Sequence, residues 1–570
     1  MAHAALEAPL ERETRFAPLA DPRLIGRIAL LAAAAFGYAL ILTPLFFVCW
    51  LSFFSNEIVT FPPSGYTLRW FAHIFDQNNF VSGFLTSLQV GIAAMVGGLV
   101  LGIPASLVLA RRRFPGREAL NTLLVLPLVV PGIVAGTAIY VFQIEVEIAT
   151  EIPLLGSLAG LVFAHIMITI PWTARLLTAS LTGFDRSLEE AAQNLGSSGW
   201  RLFRRILLPL SLPGYAAGAL LTFIRVIDDL GTPLMLSYTT LLAPQAYVRV
   251  TTMGLTNVDG YVICVVMAAL SLAALAVAKR MAGWGEFTAV GRSGAAPARR
   301  LGPGGTLAAW SVAIVLLGPA LLPHVGIVLL SLAKVWGLTP LPSAYTLTGY
   351  EEVLLRAPHF VWNTLRYAFL ASLLDVGLGA VIAWLLLRGH VRGRGWLDVI
   401  STMPLAVPGV VLALGYLRAF DGWAIPGLGA PLTSSWLILG VVYAVRRLPY
   451  TVRSASAPLR QLPLALEEAA QNLGARRART FVRVTLPLMG RGLLAGGLLA
   501  FVRSAVDFSS TLLLVPRVEL GPLSYGIYLY MQSAEGRAPG AALGVVAIAL
   551  VAVGTWAATR LARRRGHSAG

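Results

Sequence analysis

Two short stretches place charge inside apolar sequence. FIRVIDDLGTP at 223–233 aligns with FVRSAVDFSST at 501–511, at an offset of 278 residues. Each holds an arginine and an aspartate four apart, Arg225 with Asp229 and Arg503 with Asp507. On a helix such pairs share one face and neutralise each other, which offsets the cost of a charge held in hydrocarbon. Two roles are open: a structural clamp between helices, or the lining and gating of a path for a charged solute. Asp228 has no partner in the second stretch, where Val506 stands, and is the better candidate for contact with a cationic or metal-bearing solute. Asp375 is a weaker candidate of the same kind.

The elements that must position these charges are membrane helices. The chain has 570 residues, 57% of them hydrophobic and 12% charged, outside the range of soluble proteins. Ile28 to Phe54 and Val81 to Ala110 contain no Asp, Glu, Lys or Arg, and roughly 20 helical residues cross a bilayer core. Strand-length alternating segments, the mark of an outer-membrane barrel, are not found. The first apolar run is too long for a signal peptide and lacks its cleavage pattern, so it reads as a retained membrane helix. The net charge of +17 is concentrated in arginine patches at alternate ends of the runs, such as RRRFPGR at 111–117, RLFRR at 201–205, RGHVRGR at 388–394 and RRAR at 476–479. That distribution is the positive-inside pattern and not a nucleic-acid footprint. Cys49 and Cys264 fall inside apolar runs and imply neither disulfides nor a thiolate metal site.

The chain is an all-α polytopic membrane protein of about 12 helices in two copies of six. The expected spans are 28–53, 81–110, 120–143, 156–180, 211–236 and 261–281, then 306–333, 362–388, 398–418, 434–456, 489–515 and 541–562. The division is a cytoplasmic tail at 1–27, a first domain at 28–281, a cytoplasmic linker at 282–305, a second domain at 306–563 and a tail at 564–570. LPLVVPG at 126–132 matches MPLAVPG at 403–409, Arg111 and Gly116 match Arg388 and Gly393, and PWTAR at 171–175 matches PYTVR at 449–453. An even number of spans makes the repeats parallel, related by an axis along the membrane normal. Both termini then lie in the cytoplasm. Pro127, Pro131, Pro404 and Pro408 are expected to kink the third helix of each half. The glycines of GGLVLG at 97–102 and GLGA at 377–380 are expected to form close-packing faces.

The strongest repeat is LEEAAQNLG, identical at 188–196 and 466–474. Glu-Ala-Ala-Gln-Asn-Leu favours a helix, Gly196 and Gly474 suit its C-terminal stop, and a Leu-Pro follows each copy before the next span. Nine unchanged residues amid drifted flanks require one exacting contact surface. The pattern resembles the cytoplasmic loop of binding-protein-dependent ABC importer permeases, which docks on an ATPase subunit.

That resemblance implies a fused pair of permease domains of the type I fold in a bacterial cytoplasmic membrane. It implies two copies of an ABC ATPase subunit and a periplasmic substrate-binding protein as partners, besides the lipid bilayer, with no nucleic acid. Glu190, Ala191, Ala192 and Gly196, with Glu468, Ala469, Ala470 and Gly474, are the expected ATPase contacts. Neither of the two lysines, Lys279 and Lys334, sits in a phosphate-binding loop. The chain is therefore expected to be no enzyme, to bind no cofactor or metal itself, and to leave ATP and magnesium to its partner. The DDLGTP segment resembles ferric-iron permeases, with thiamine, polyamine or phosphonate as alternative cargoes. No His/Asp/Tyr cluster suits a high-affinity ferric site, so specificity is expected in the binding protein. A secondary transporter is the alternative class, but it gives no reason for two matched loops. A membrane enzyme is weaker, since no nucleophile–base pair recurs.

Overall fold

A backbone in lipid must satisfy its hydrogen bonds within the segment, so charge-free runs of this length become helices. In the computed structural model the described residues are 22–123, 132–182, 186–286, 299–336, 339, 341–389, 391–424, 429, 431–533 and 536–563. The first half contains α1 (Pro22–Leu51), α2 (Asn78–Arg111), α3 (Gly132–Thr150), α4 (Leu158–Thr182), α5 (Arg186–Asn194), α6 (Leu208–Asp228) and α7 (Val258–Glu286). The second contains α8 (Pro303–Leu332), α9 (His359–Arg388), α10 (Arg394–Thr402), α11 (Gly409–Ala419), α12 (Leu437–Gln461), α13 (Leu464–Asn472), α14 (Leu486–Ala505) and α15 (Ala538–Arg563). The short helices α5 and α13 carry the repeated nonapeptide.

Ten helices among the described residues are long and apolar enough to cross a membrane. The expectation of twelve differs at two places. The span expected at 398–418 is broken by a bend of 103° between Arg394–Leu405 and Gly409–Ala419. Pro408 holds φ −59° and ψ 143° and caps the start of α11. Lacking an N–H, it ends one helix and begins another instead of kinking a continuous one. Pro127 and Pro131 lie outside the described residues. The span expected at 434–456 is α12, whose four arginines make it too polar to face lipid. It is packed between α9 and α14, with Tyr443, Ala455 and Leu459 fully enclosed.

The helices after the two loops also match. A π-helical turn, Phe203–Leu207 and Phe481–Thr485, leads into α6 and α14 respectively. Such turns recur at functional sites because they re-aim the following helix. Within each half the same neighbours pack, α2 on α4 and α9 on α12. Of the glycines expected to pack closely, Gly379 and Gly98 do, since a Cβ on them would lie 2.8 Å from Thr451 and 2.9 Å from Thr173, whereas Gly377 meets no such neighbour.

The halves interlock through their first helices. α1 crosses to the second half and packs along α11, where the Tyr416 hydroxyl donates to the Leu40 carbonyl at 2.6 Å. Gly415 allows that approach, since a Cβ there would meet the Pro44 carbonyl at 2.3 Å. α8 crosses in the opposite sense to α3. The stretch expected as a featureless linker at 282–305 is structured at both described ends. α7 continues to Glu286, and Arg299–Arg300 pair in parallel with Arg112–Arg113 before α8 begins. Residues 287–298 lie outside the described set.

Candidate functional site: coupling helices and the central cavity

Each nonapeptide folds as its sequence dictates. Gly196 and Gly474 take left-handed φ values of +84° and +85°. The Gly196 amide donates to the Gln193 carbonyl and the Ser197 amide to the Ala192 carbonyl, both at 2.9 Å. Gly474 and Ala475 repeat this on Gln471 and Ala470. These bonds close the last turn of α5 and α13 with groups that a helix end otherwise leaves unpaired.

The two glutamates of each copy divide the work. Glu189 is buried and its Oε2 lies 3.1 Å from Nε of Arg111, the last residue of α2. Glu467 is buried likewise, 3.2 Å from Nε of Arg388, the last residue of α9. Arg388 also donates to the carbonyls of Leu459 and Leu462, at 3.0 and 2.8 Å, binding α9, α12 and α13 at one point. Glu190 and Glu468, with Ala191 and Ala469, are exposed, as are Gly196 and Gly474; Ala192 is buried and Ala470 half-buried. Beside them Leu195 and Leu473 each expose 89% of their surface. Each short helix is thus strapped to the membrane domain by one acidic residue and presents the next, with apolar neighbours, outward.

Arg225, Asp228, Asp229, Arg503 and Asp507 line one cavity of about 320 Å³ between the halves. The expected i,i+4 pairing is not what holds them. α6 ends at Asp228, and Asp229 is extended with φ −74° and ψ 114°. α14 ends at Ala505, two residues before Asp507. The aspartates leave the helical face because their carboxylates bond the following backbone. Asp229 Oδ1 accepts from the amides of Gly231 and Thr232 at 3.1 and 3.3 Å, and Asp507 Oδ1 from that of Ser510 at 3.2 Å.

Their charge partners come from other helices. Arg446 on α12 bridges the halves, donating through Nη2 to Asp228 and through Nη1 to Asp507 at 2.8 Å. Arg447 adds a second bond to Asp507. The Gly409 amide, at the start of α11, donates to Asp228 Oδ1 at 2.7 Å, so a helix N-terminus of one half faces a carboxylate of the other. Asp228, unmatched in the second repeat, is therefore held by an arginine and an amide. In the first half, His165 Nε2 lies 3.6 Å from Asp229. Asp375 is fully enclosed in α9, outside the cavity lining. Among the described residues no group of three or more His, Cys, Asp and Glu side chains could hold a metal ion.

The chain matches the model of the binding-protein-dependent transport system inner membrane component twice, at residues 98–282 and 375–567. It belongs to that family. The permease is 27% identical, over 79% of its own length and 71% of the relative's, to a putative ferric transport system permease protein of Haemophilus influenzae. It is 26% identical over 81% of its length to the ferric transport system permease protein of Actinobacillus pleuropneumoniae, covering 67% of that protein. A molybdenum transport system permease protein of Escherichia coli is 33% identical over 36% of this chain and 94% of its own. This chain is accordingly a multi-pass membrane protein and an ABC importer permease with two fused repeats.

Six residues that organise the site were assigned no role from sequence. Arg111 and Arg388 were visible as a matched pair in the repeats, and Glu189 and Glu467 as the first letters of the glutamate doublet. Nothing local says which glutamate turns inward. Arg446 and Arg447 stand just before PYTVR, where the first copy has Ile168 and Thr169. Arginines that break a repeat inside a buried helix are the signal that identifies them.

Proposed function

We propose that this permease carries ferric iron into the cytoplasm, driven by two copies of an ATPase subunit docked on α5 and α13. A binding protein on the outer face delivers the iron. The observation that carries the energy-coupling part is the pair of short helices, each strapped by a buried Arg–Glu pair and each offering an exposed glutamate and leucine. Glu190, Ala191, Ala192 and Gly196, with Glu468, Ala469, Ala470 and Gly474, form the docking surfaces. ATP binding draws the ATPases together and pulls α5 and α13 with them. The straps pass that movement to α2 and α9, and α6 and α14 follow through their π turns. ATP and magnesium belong to the partner subunits, and both termini lie on the cytoplasmic side.

Support for iron comes from relatives named for ferric transport that match across both halves. A second reading, an oxyanion such as molybdate, draws on the relative named for molybdenum transport and on the arginines of the cavity. Uptake of labelled ferric iron by iron-starved cells with and without the gene separates the two. Iron uptake that falls on deletion, with molybdate uptake intact, fits the proposal. Iron uptake that is unchanged overturns the choice of cargo.

A further inference from the structure

The two halves treat their arginines differently. In the second half, Arg446 and Arg447 are bound to aspartates, and Arg453 lies 3.1 Å from Asp398. In the first half Asn121 stands where the repeat places Asp398, and Arg175 stands where it places Arg453. Among the described residues no carboxylate lies within ion-pair distance of Arg225 or Arg175. All three cavity aspartates are already committed, Asp228 and Asp507 to arginines and Asp229 to backbone amides beside His165. Four arginines and three aspartates line the central cavity. A second cavity of about 280 Å³ adjoins it, shares Trp172 and Arg503, and adds Arg175 toward the coupling helices.

We propose that this path is an anion site: the solute crosses presenting an oxyanion or carboxylate face to Arg225, with Arg175 further inward. A bare multivalent cation would meet surplus positive charge and no ligand set, and Coulomb repulsion in a partly dry cavity is strong. A guanidinium offers paired donors that match carboxylate and tetrahedral oxyanion geometry. The path's volume is large against the ~30 Å³ share of one liquid water, so it holds a small complex. This deepens the functional proposal. If the cargo is ferric iron, it crosses with anionic ligands attached; the same chemistry would also pass a free oxyanion.

The test uses the complete transporter, with its ATPase and binding protein, in proteoliposomes. Labelled ferric citrate, labelled molybdate and labelled putrescine are offered separately to wild type, Arg225→Gln and Arg225→Lys. A charge-assisted contact is worth ~10-fold or more in affinity. Arg225→Gln should therefore lower uptake of the anionic cargo at subsaturating concentration by about that factor, and Arg225→Lys should retain most of it. Co-purification of the ATPase, unchanged in all three, shows that the variants fold. Uptake of molybdate in place of ferric citrate, with the same Gln/Lys split, upholds the anion site and overturns iron as cargo. Wild-type rates in Arg225→Gln, equal losses in Gln and Lys, or putrescine as the transported probe overturn the anion site.

Discussion

Replacing Arg388 with methionine removes one half of the strap that ties α13 to α9. Glu467 then loses its partner, and the carbonyls of Leu459 and Leu462 lose their donor. Removing one member of a buried ion pair costs ~3–5 kcal/mol. Glu467 sits on a short peripheral helix that can swing out and hydrate it, so the cost falls on the position of α13 and not on the fold. At ~3 kcal/mol the ratio of strapped to detached α13 falls about 100-fold. Hydrogen exchange at the amides of 464–475 should accelerate by that order, while α9 and α12 keep their protection. Solute-stimulated ATP hydrolysis should fall with it. A double change, Arg388→Met with Glu467→Leu, removes both charges and should recover most of the protection, since an apolar pair of similar volume is often neutral. Unchanged exchange in Arg388→Met, or a double variant no better than the sum of the singles, would refute the strap.

Leu195→Asp with Leu473→Asp places charge at the two most exposed apolar positions of the loops, and the pair should abolish ATPase co-purification without lowering the melting temperature of the membrane domain. Glu190→Ala with Glu468→Ala should weaken the same association; normal recovery of the ATPase in a pull-down would remove these residues from the docking surface. Gly409→Ala puts a Cβ 2.2 Å from Nη1 of Arg446, and overpacking at such a site costs ~1–3 kcal/mol, read as a lower melting temperature in detergent. Asp507→Asn takes the carboxylate from Arg447 and leaves Arg446 with Asp228, and it should destabilise more than Asp229→Asn, whose carboxylate accepts from the Gly231 and Thr232 amides and has His165 at 3.6 Å.

The repeated features were the legible ones. Identical letters at 188–196 and 466–474 exposed both coupling helices, and the left-handed glycines closed them where the sequence put the stop. Spans came through wherever hydrocarbon alone decides. α12 shows the limit: it packs on α9 and α14, and Arg446, Arg447 and Arg453 serve Asp228, Asp507 and Asp398, which no local window contains. The pairing of Arg225 with Asp229 failed for a related reason. Helical spacing predicts a shared face only while the helix lasts, and an aspartate that bonds the next backbone amides ends it. Pro408 makes a break and not a kink, because it caps the start of α11 and has no N–H to continue the preceding helix. The exchange of α1 and α8 between halves left no trace in periodicity, since an apolar face does not say which partner covers it.

The most direct test of energy coupling through α5 and α13 is labelled-iron uptake by proteoliposomes holding the permease, its ATPase and its binding protein, with and without ATP. Uptake that needs ATP, survives an ionophore that collapses ion gradients, and disappears in Leu195→Asp with Leu473→Asp is the predicted result. Uptake that runs on an ion gradient without ATP, or that persists at full rate in that double variant, contradicts it.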